Sequence, residues 1–374
     1  MITFIHTADV HIGAPFTSLG KKGSEHRKQI KDTFSRVIDL AIEKEVSLLL
    51  IAGDLFDSNT VSKTDFECVT YELKRLIKKD IIVVVIGGNH DFLGDNSVYT
   101  DSFFKNTPGV TVLSKEKPYE VFDHLDVTIY GASCYSNKST KSPFEALSKE
   151  DTGTRHAIAL IHGSHAIPDK HAPDDYPFTS EEIDGSEFDY IASGNWHSYY
   201  EVPTEKIEAI NPGSPEALGF DQKGAGSVVY GEIEGDDLKT EKVQVGSRQF
   251  ASLDLDVTAH DDVYGYVLGQ IRDNADADTV LDVTLTGVLS PDTLVSSKKI
   301  EEEFGADFFM LKVTDKTQLA LDALSLDDFP EELIVGQFVR IMIEKIQDEP
   351  DDAQKMVLEK ALQVGIHELQ GREV

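Results

Sequence analysis

The sequence predicts a layered α/β domain followed by a small α/β module and C-terminal helices. Three observations carry that expectation. Up to about residue 245, short β-rich runs alternate with amphipathic helical stretches. From Ser247 to about Thr317 a second, shorter strand and helix rhythm begins. Beyond Leu324 strand character fades, and Pro330 and Pro350 punctuate what remains.

Residues 2–7, 47–52, 81–86, 127–130, 157–161 and 190–192 read as strands, each a short run dominated by Ile, Val, Leu or Ala. Residues 25–45 read as a helix with Ile30, Phe34, Val37, Ile38 and Ala41 on one face. Residues 224–235 read as the last hairpin of this domain. The following module has a strand, helix, strand, strand rhythm, with residues 281–285 as its clearest strand. Two helices end the chain, one carrying Phe338, Met342 and Ile346, the other Met356, Val357, Ala361 and Leu362. Their apolar faces suit either packing on the chain's own domains or a partner. The expected boundaries are therefore 1–246, 247–322 and 323–374.

Of the 374 residues, 40% are hydrophobic, which excludes a disordered tail and allows one large core plus smaller ones. The opening Met1-Ile2-Thr3-Phe4 has no basic region leading into a long apolar stretch, and no window of about 18 apolar residues follows anywhere. A soluble, cytoplasmic protein with no membrane span is expected. Cys68 and Cys134 lie too far apart for a CxxC pattern and read as buried thiols, not as a disulfide framework or a zinc site. The net charge of −32 weighs against a polyanionic partner, although a metal site would bring positive charge to where a phosphate sits. Two basic runs stand against that background. One comprises Lys21, Lys22, Arg27, Lys28 and Lys31, the other Lys74, Arg75, Lys78 and Lys79; each reads either as a phosphate track or as a solvated helix face.

The chemistry lies in five segments that place metal-ligand side chains just after strands, where open α/β sheets collect their sites. Asp9-Val10-His11 follows the first strand, and strand alternation would point both side chains to one side. Gly53-Asp54-Leu55-Phe56-Asp57 follows the second, and Gly87-Gly88-Asn89-His90-Asp91 the third. His162-Gly163-Ser164-His165 and Gly194-Asn195-Trp196-His197 follow two later strands. Singly, each is compatible with ordinary turn chemistry; their serial order is not.

Read in order, DxH, GDxxD, GNHD, a strand-end His and GxxH resemble the calcineurin-like metallophosphoesterase signature. The resemblance implies a calcineurin-like sandwich. It also implies that Asp9, His11 and His197 hold one metal, that Asp54 bridges, and that Asn89 and His162 hold a second. His90 then either protonates the leaving oxygen or steadies the transition-state charge, and Asp57 either orients a ligand or is simply solvated. Oxygen and imidazole donors without thiolate suit two Mn²⁺ or similar ions. Two such cations roughly 3.5–4 Å apart neutralise phosphoryl oxygens and lower the pKa of an attacking water. One position departs from the pattern: Asn195 stands where the family usually has a histidine ligand of the second metal, so that site is expected to be the weaker one.

Within the family, the opening His6-Thr7-Ala8-Asp9-Val10-His11-Ile12-Gly13 and the segment Asn211-Pro212-Gly213-Ser214-Pro215-Glu216 resemble the Mre11/SbcD DNA-repair nucleases. The likeness is strong to about residue 235 and looser after it, and the region around Phe338-Val339-Arg340 resembles the YhaO-like branch. It implies a nuclease domain, a small capping domain that contacts DNA, and a tail that binds a Rad50/SbcC-like coiled-coil ATPase, in a homodimer. Exonuclease or endonuclease action on DNA ends or double-strand breaks is the expected function. Lys21, Lys22, Arg27 and Lys28 would then meet phosphates, and Trp196 either stacks on a base or packs against the site floor. Two alternatives stand beside this reading: a phosphoesterase for small nucleotides or phosphoproteins, which an acidic surface would suit, and a non-catalytic scaffold for the ATPase, which Asn195 would suit.

Overall fold

Strands that are apolar on both faces need cover on both sides, and the first unit of the chain supplies it. The computed structural model describes residues 1–167, 172–290, 293–321 and 324–369. The chain separates into two compact units, residues 1–248 and a second beginning at Gln249.

In the first unit, β1 (Ile2–Thr7), β2 (Leu48–Ala52), β3 (Ile82–Ile86) and β4 (Val110–Val112) run parallel in one six-stranded sheet. A second six-stranded sheet contains β5 (Tyr119–Phe122), β6 (Val127–Ala132), β7 (His156–His162), β8 (Tyr190–Gly194), β9 (Tyr200–Glu201) and β10 (Glu208–Asn211), with β6, β7 and β8 parallel. The period-two alternation of side chains sorts each strand between layers. Phe4, Leu48, Leu50, Val84 and Ile86 face Ile129, Ile158, Leu160 and Tyr190 between the sheets. Ile5, Leu49, Ile51, Val83 and Val85 face the opposite way, onto α1 (Gly23–Glu43) and α2 (Lys63–Ile77). The expected face of α1, Ile30, Phe34, Val37, Ile38 and Ala41, is the buried one. Ser62 caps α2 by accepting from the Asp65 N–H. The short helices α3 (Ser102–Asn106) and α4 (Ser180–Asp184) close the outer layers.

His6 ties the two sheets together. It accepts from the Tyr190 hydroxyl at 3.0 Å through Nδ1 and donates to the Ser193 carbonyl through Nε2 at 3.1 Å. Burial pushes its pKa down to about 3, so the ring is neutral. Tyr190→Phe would leave His6 Nδ1 buried without a donor and is expected to cost about 1–3 kcal/mol. A urea titration would register that as a lower midpoint at unchanged slope.

The expected hairpin at 224–235 is displaced. Residues β11 (Ser227–Glu234) form one strand, the turn falls at Gly235 and Asp236, and β12 (Asp237–Gln244) is the partner. An edge strand reading Asp-Leu-Lys-Thr-Glu-Lys-Val-Gln and mostly exposed carries too little apolar alternation to announce itself.

The second unit opens with the expected strand, helix, strand, strand rhythm and then adds a second helix and two further strands. Three parallel strands, β13 (Gln249–Asp256), β14 (Thr279–Thr286) and β16 (Met310–Asp315), are joined through two helices, α5 (Val263–Arg272) and α6 (Ser297–Phe304). A short parallel pair, β15 (Val288–Leu289) and β17 (Gln318–Leu319), lies beside them. Helix α6 was not legible because only Ile300 and Phe304 are buried in an otherwise charged octapeptide. Parallel strands need such crossovers. In α7 (Ile334–Asp348) and α8 (Asp352–Leu369), Val339, Met342, Ile346, Leu362 and Ile366 form the shared core. Met356 and Val357, assigned to the apolar face, are instead 40% and 61% exposed. The expected boundary at 322/323 and the tail 370–374 lie outside the described residues. Among the described residues no helix is long and apolar enough to cross a membrane. Cys134 is buried as expected, whereas Cys68 is only partly so.

Candidate metal centre

Because β1, β2 and β3 are parallel, as are β6, β7 and β8, the loops after them gather at one end of the sandwich. The two sheets meet there: His162 Nδ1, at the end of β7, donates to the Ala52 carbonyl at the end of β2 across 2.8 Å. The loop after β1 is laced to the loop after β2, with Asp9 N–H donating to Gly53 O, His11 N–H to Asp54 O and Ile12 N–H to Leu55 O. Asp9, His11, Asp54 and Asn195 all hold positive φ, between 51° and 100°. Such left-handed backbone at non-glycine residues persists only where the surroundings enforce it, and here four cases converge on one cluster. Gly53 and Gly88 are required by close approach, since a Cβ would lie 2.3 Å from His162 Nδ1 and 2.2 Å from Asp54 Oδ1 respectively.

Among the described residues three groups could hold a cation: His11 with Asp57 and His90 at the rim, and two that share Asp9, namely Asp9 with His11 and His197, and Asp9 with Asp54 and His162. Asp54 Oδ2 lies between them, 3.5 Å from His11 Nε2 and 3.4 Å from His162 Nε2. Asn89 Oδ1 sits 3.3 Å from His162 Nε2, and His11 Nε2 is 3.2 Å from His197 Nε2. Asp9, Asp54, His11 and His162 are almost wholly buried.

The electrostatics follow from that crowding. Burial pushes the Asp9 carboxyl up to about 6, with the Asp54 charge adding to the rise and His162 opposing it. Burial would also raise Asp54, but His162 and His11 hold it below the usual carboxylate range. His162 is driven up to about 10 against its burial by Asp54 and then Asp9, while burial and the neighbouring His11 push His197 down to about 3. Since His162 Nδ1–H is fixed on Ala52 O, the atom facing Asp54 and Asn89 is Nε2, the one placed to meet a divalent cation. Hard oxygens and imidazoles without thiolate fit such ions. Cys134, whose sulfur donates to the His162 carbonyl, is kept as a thiol by burial.

His90 stands at the rim, 41% exposed, its ring 4.7 Å from that of His11. Its backbone N–H donates to Asp54 Oδ1 at 2.9 Å and its Nδ1–H to the Asp57 carbonyl at 3.0 Å. Asp57 Oδ1 lies 3.3 Å from His11 Nδ1. The Asn195 N–H donates to both Asp9 oxygens at 3.0 Å, but its side-chain Nδ2 donates to Ser164 Oγ and Asp175 Oδ2, each at 2.8 Å.

Sequence reasoning missed the residues behind this cluster. Buried Asp91 accepts from Gly88 N–H at 2.7 Å, Asp54 N–H at 3.3 Å, Phe56 N–H at 3.1 Å and the Tyr99 hydroxyl at 2.7 Å, so one carboxylate locks two motif loops together. Its place at the end of GNHD was the available signal. The 211–216 segment also has a structural role: Ser214 N–H donates to the His197 carbonyl at 2.9 Å, and buried Glu216 accepts from the backbone N–H of Ser247 and Arg248 and from Gln29 on α1. Gln222, 2.7 Å from His197 Nδ1, carried no sequence signal.

The expected nucleic-acid contacts are more dispersed. Lys22 pairs with Glu25, Lys28 with Asp32, and Arg27 donates to the Pro15 carbonyl, while Lys21 is exposed. In the second run Arg75 pairs with Glu72 and Asp39, and Lys74 lies over the Phe103 ring. Trp196 is half-buried with its ring 6.3 Å from that of Tyr200, and its carbonyl accepts from Asn211.

A family model described as calcineurin-like phosphoesterase matches residues 2–199. Among known proteins, the uncharacterized metallophosphoesterase YhaO of Bacillus subtilis is 30% identical over 230 residues, which is 60% of this chain and 55% of that protein. The matched stretch thus spans about half of YhaO. The DNA double-strand break repair protein Mre11 of Sulfurisphaera tokodaii is 25% identical over 359 residues, covering 90% of this chain and 88% of that one. Its counterpart in Sulfolobus acidocaldarius is 24% identical over 381 residues, covering 95% and 97%.

Proposed function

The chain belongs to the calcineurin-like phosphoesterase family, and from that premise we propose that it is a two-metal DNA phosphodiesterase of the Mre11 type, with Mn²⁺ as the working ion. The observation that carries the reading is Asp54 Oδ2, held between His11 on one side and His162 on the other. Asp9, His11 and His197 would hold one cation, and Asn89, His162 and the Asn195 amide the other, with Asp54 shared. Divalent cations there supply charge neutralisation at the phosphoryl oxygens and a water acidified towards neutral pH.

The chain's own groups do the rest. Asp57 fixes the His11 ring, and Asp91 fixes the backbone that carries Asp54 and Asn89. His90 donates Nδ1–H to a carbonyl, which leaves Nε2 for the leaving oxygen; protonated, it gives that oxygen a proton as the phosphodiester breaks. Relatives named for DNA double-strand break repair, aligned over nine-tenths of the chain, support DNA as substrate. Exposed Ile334, Ile341 and Val357 on the terminal helices support docking of a Rad50-like ATPase, and a homodimer is carried over from the resemblance. The test is Mn²⁺-dependent cleavage of single- and double-stranded DNA beside bis-p-nitrophenyl phosphate: faster cutting of DNA supports the reading, and hydrolysis of the small ester alone overturns the substrate.

A second reading, a scaffold that loads an ATPase without cutting, is favoured by one observation: the Asn195 amide is tied to Ser164 and Asp175. The same pair predicts the outcome of a substitution. In Asn195→His, Asp175 can accept the ring N–H and orient the imidazole as a ligand, so Mn²⁺-dependent turnover is expected to rise about tenfold or more. Steady-state rates at matched Mn²⁺ would measure it; equal rates in both proteins would mean that Asn195 does not limit the second site.

A further inference from the structure

Behind the cluster runs a chain of hydrogen bonds whose polarity is fixed at its Leu218 end. The Leu218 N–H can only donate, and it meets Gln222 Oε1 at 2.8 Å. The other amide atom, Nε2, can only donate, and it meets His197 Nδ1 at 2.7 Å. His197 Nδ1 is therefore an acceptor, and its ring hydrogen sits on Nε2, which faces His11 Nε2 at 3.2 Å. His11 Nδ1 in turn lies 3.3 Å from Asp57 Oδ1.

That arrangement conflicts with ligation. For His197 to offer Nε2 to a cation, its hydrogen must move to Nδ1, where it would face the Gln222 amide hydrogens. The amide must then turn over to present Oε1, and the Leu218 N–H is left facing Nε2. One hydrogen bond is lost whichever way the amide sits.

We propose that Gln222 is a positioning residue for His197, and that its amide orientation sets the His197 tautomer and hence how tightly the Asp9, His11 and His197 group takes a divalent cation. The inference rests on the reading that this group binds metal. Gln222→Glu removes the conflict, because a carboxylate accepts from both the Leu218 N–H and the His197 Nδ1–H. Orienting acceptors of this kind typically change metal affinity by about ten- to a hundredfold.

The test uses the full chain labelled with ¹⁵N at histidine, in wild-type and Gln222→Glu forms. Two-bond ¹⁵N–¹H correlation spectra read the His197 tautomer without metal, and calorimetric titration with MnCl₂ reads affinity. The expected result is Nε2–H in the wild type, Nδ1–H in the variant, and at least about tenfold tighter Mn²⁺ binding by the variant. A wild-type His197 already carrying Nδ1–H overturns the role of Gln222, even if the variant fails to fold. Tighter binding without a tautomer change also overturns it, since added negative charge alone would then suffice. Absence of Mn²⁺ binding in both proteins, with the tautomers as expected, instead overturns the metal reading on which the inference rests.

Discussion

Asp54→Asn is expected to abolish Mn²⁺-dependent phosphodiester hydrolysis, with a loss well beyond the roughly hundredfold that follows removal of a residue behind a metal ligand. The substitution keeps the shape of the side chain, and asparagine tolerates the left-handed backbone that Asp54 adopts at φ 51°. It can still accept the His90 N–H through Oδ1. What it removes is the anionic oxygen placed between His11 and His162, and with it the charge that two cations would share there. Turnover measured beside the metal-free unfolding midpoint separates the two contributions: activity should vanish while the fold persists. A variant retaining more than a tenth of wild-type turnover would remove Asp54 from the centre of the mechanism.

The second large effect is expected at His90. Loss of a general acid costs about 10²- to 10⁴-fold in rate when the leaving group needs its proton. His90→Gln should therefore slow DNA cleavage by that much. Hydrolysis of bis-p-nitrophenyl phosphate, whose leaving group departs as a stable anion, should fall far less. Equal losses on the two substrates would assign His90 to holding the Asp57 loop, through its bond to the Asp57 carbonyl, and not to proton transfer.

The strand-end motifs were legible because parallel strands bring their C-terminal ends together whatever lies between them in sequence. Asp9, Asp54, Asn89, His162 and His197 span almost two hundred positions, yet each follows a short apolar run that becomes a buried strand. Residues that act through others left no such mark. Gln222 follows an exposed turn, 25 positions from the histidine it faces, and a lone glutamine there is indistinguishable from solvated surface. Asp175 and Ser164 meet Asn195 only after the loop beyond β7 folds back. In the same way β12 and α6 stayed hidden because their burial comes from neighbours and not from their own patterning. The basic run at residues 21–31 was visible as charge, but its pairing with Glu25 and Asp32 depends on helical spacing that brings partners three and four residues apart together.

Electron paramagnetic resonance of the full chain titrated with Mn²⁺ would show whether Asp54 joins two cations. Two Mn²⁺ per chain are expected at saturation, with the split, exchange-coupled signal of ions sharing a bridging ligand, and with loss of that coupling in Asp54→Asn. A wild-type chain that saturates at one Mn²⁺, or binds two that remain uncoupled, would contradict that bridge.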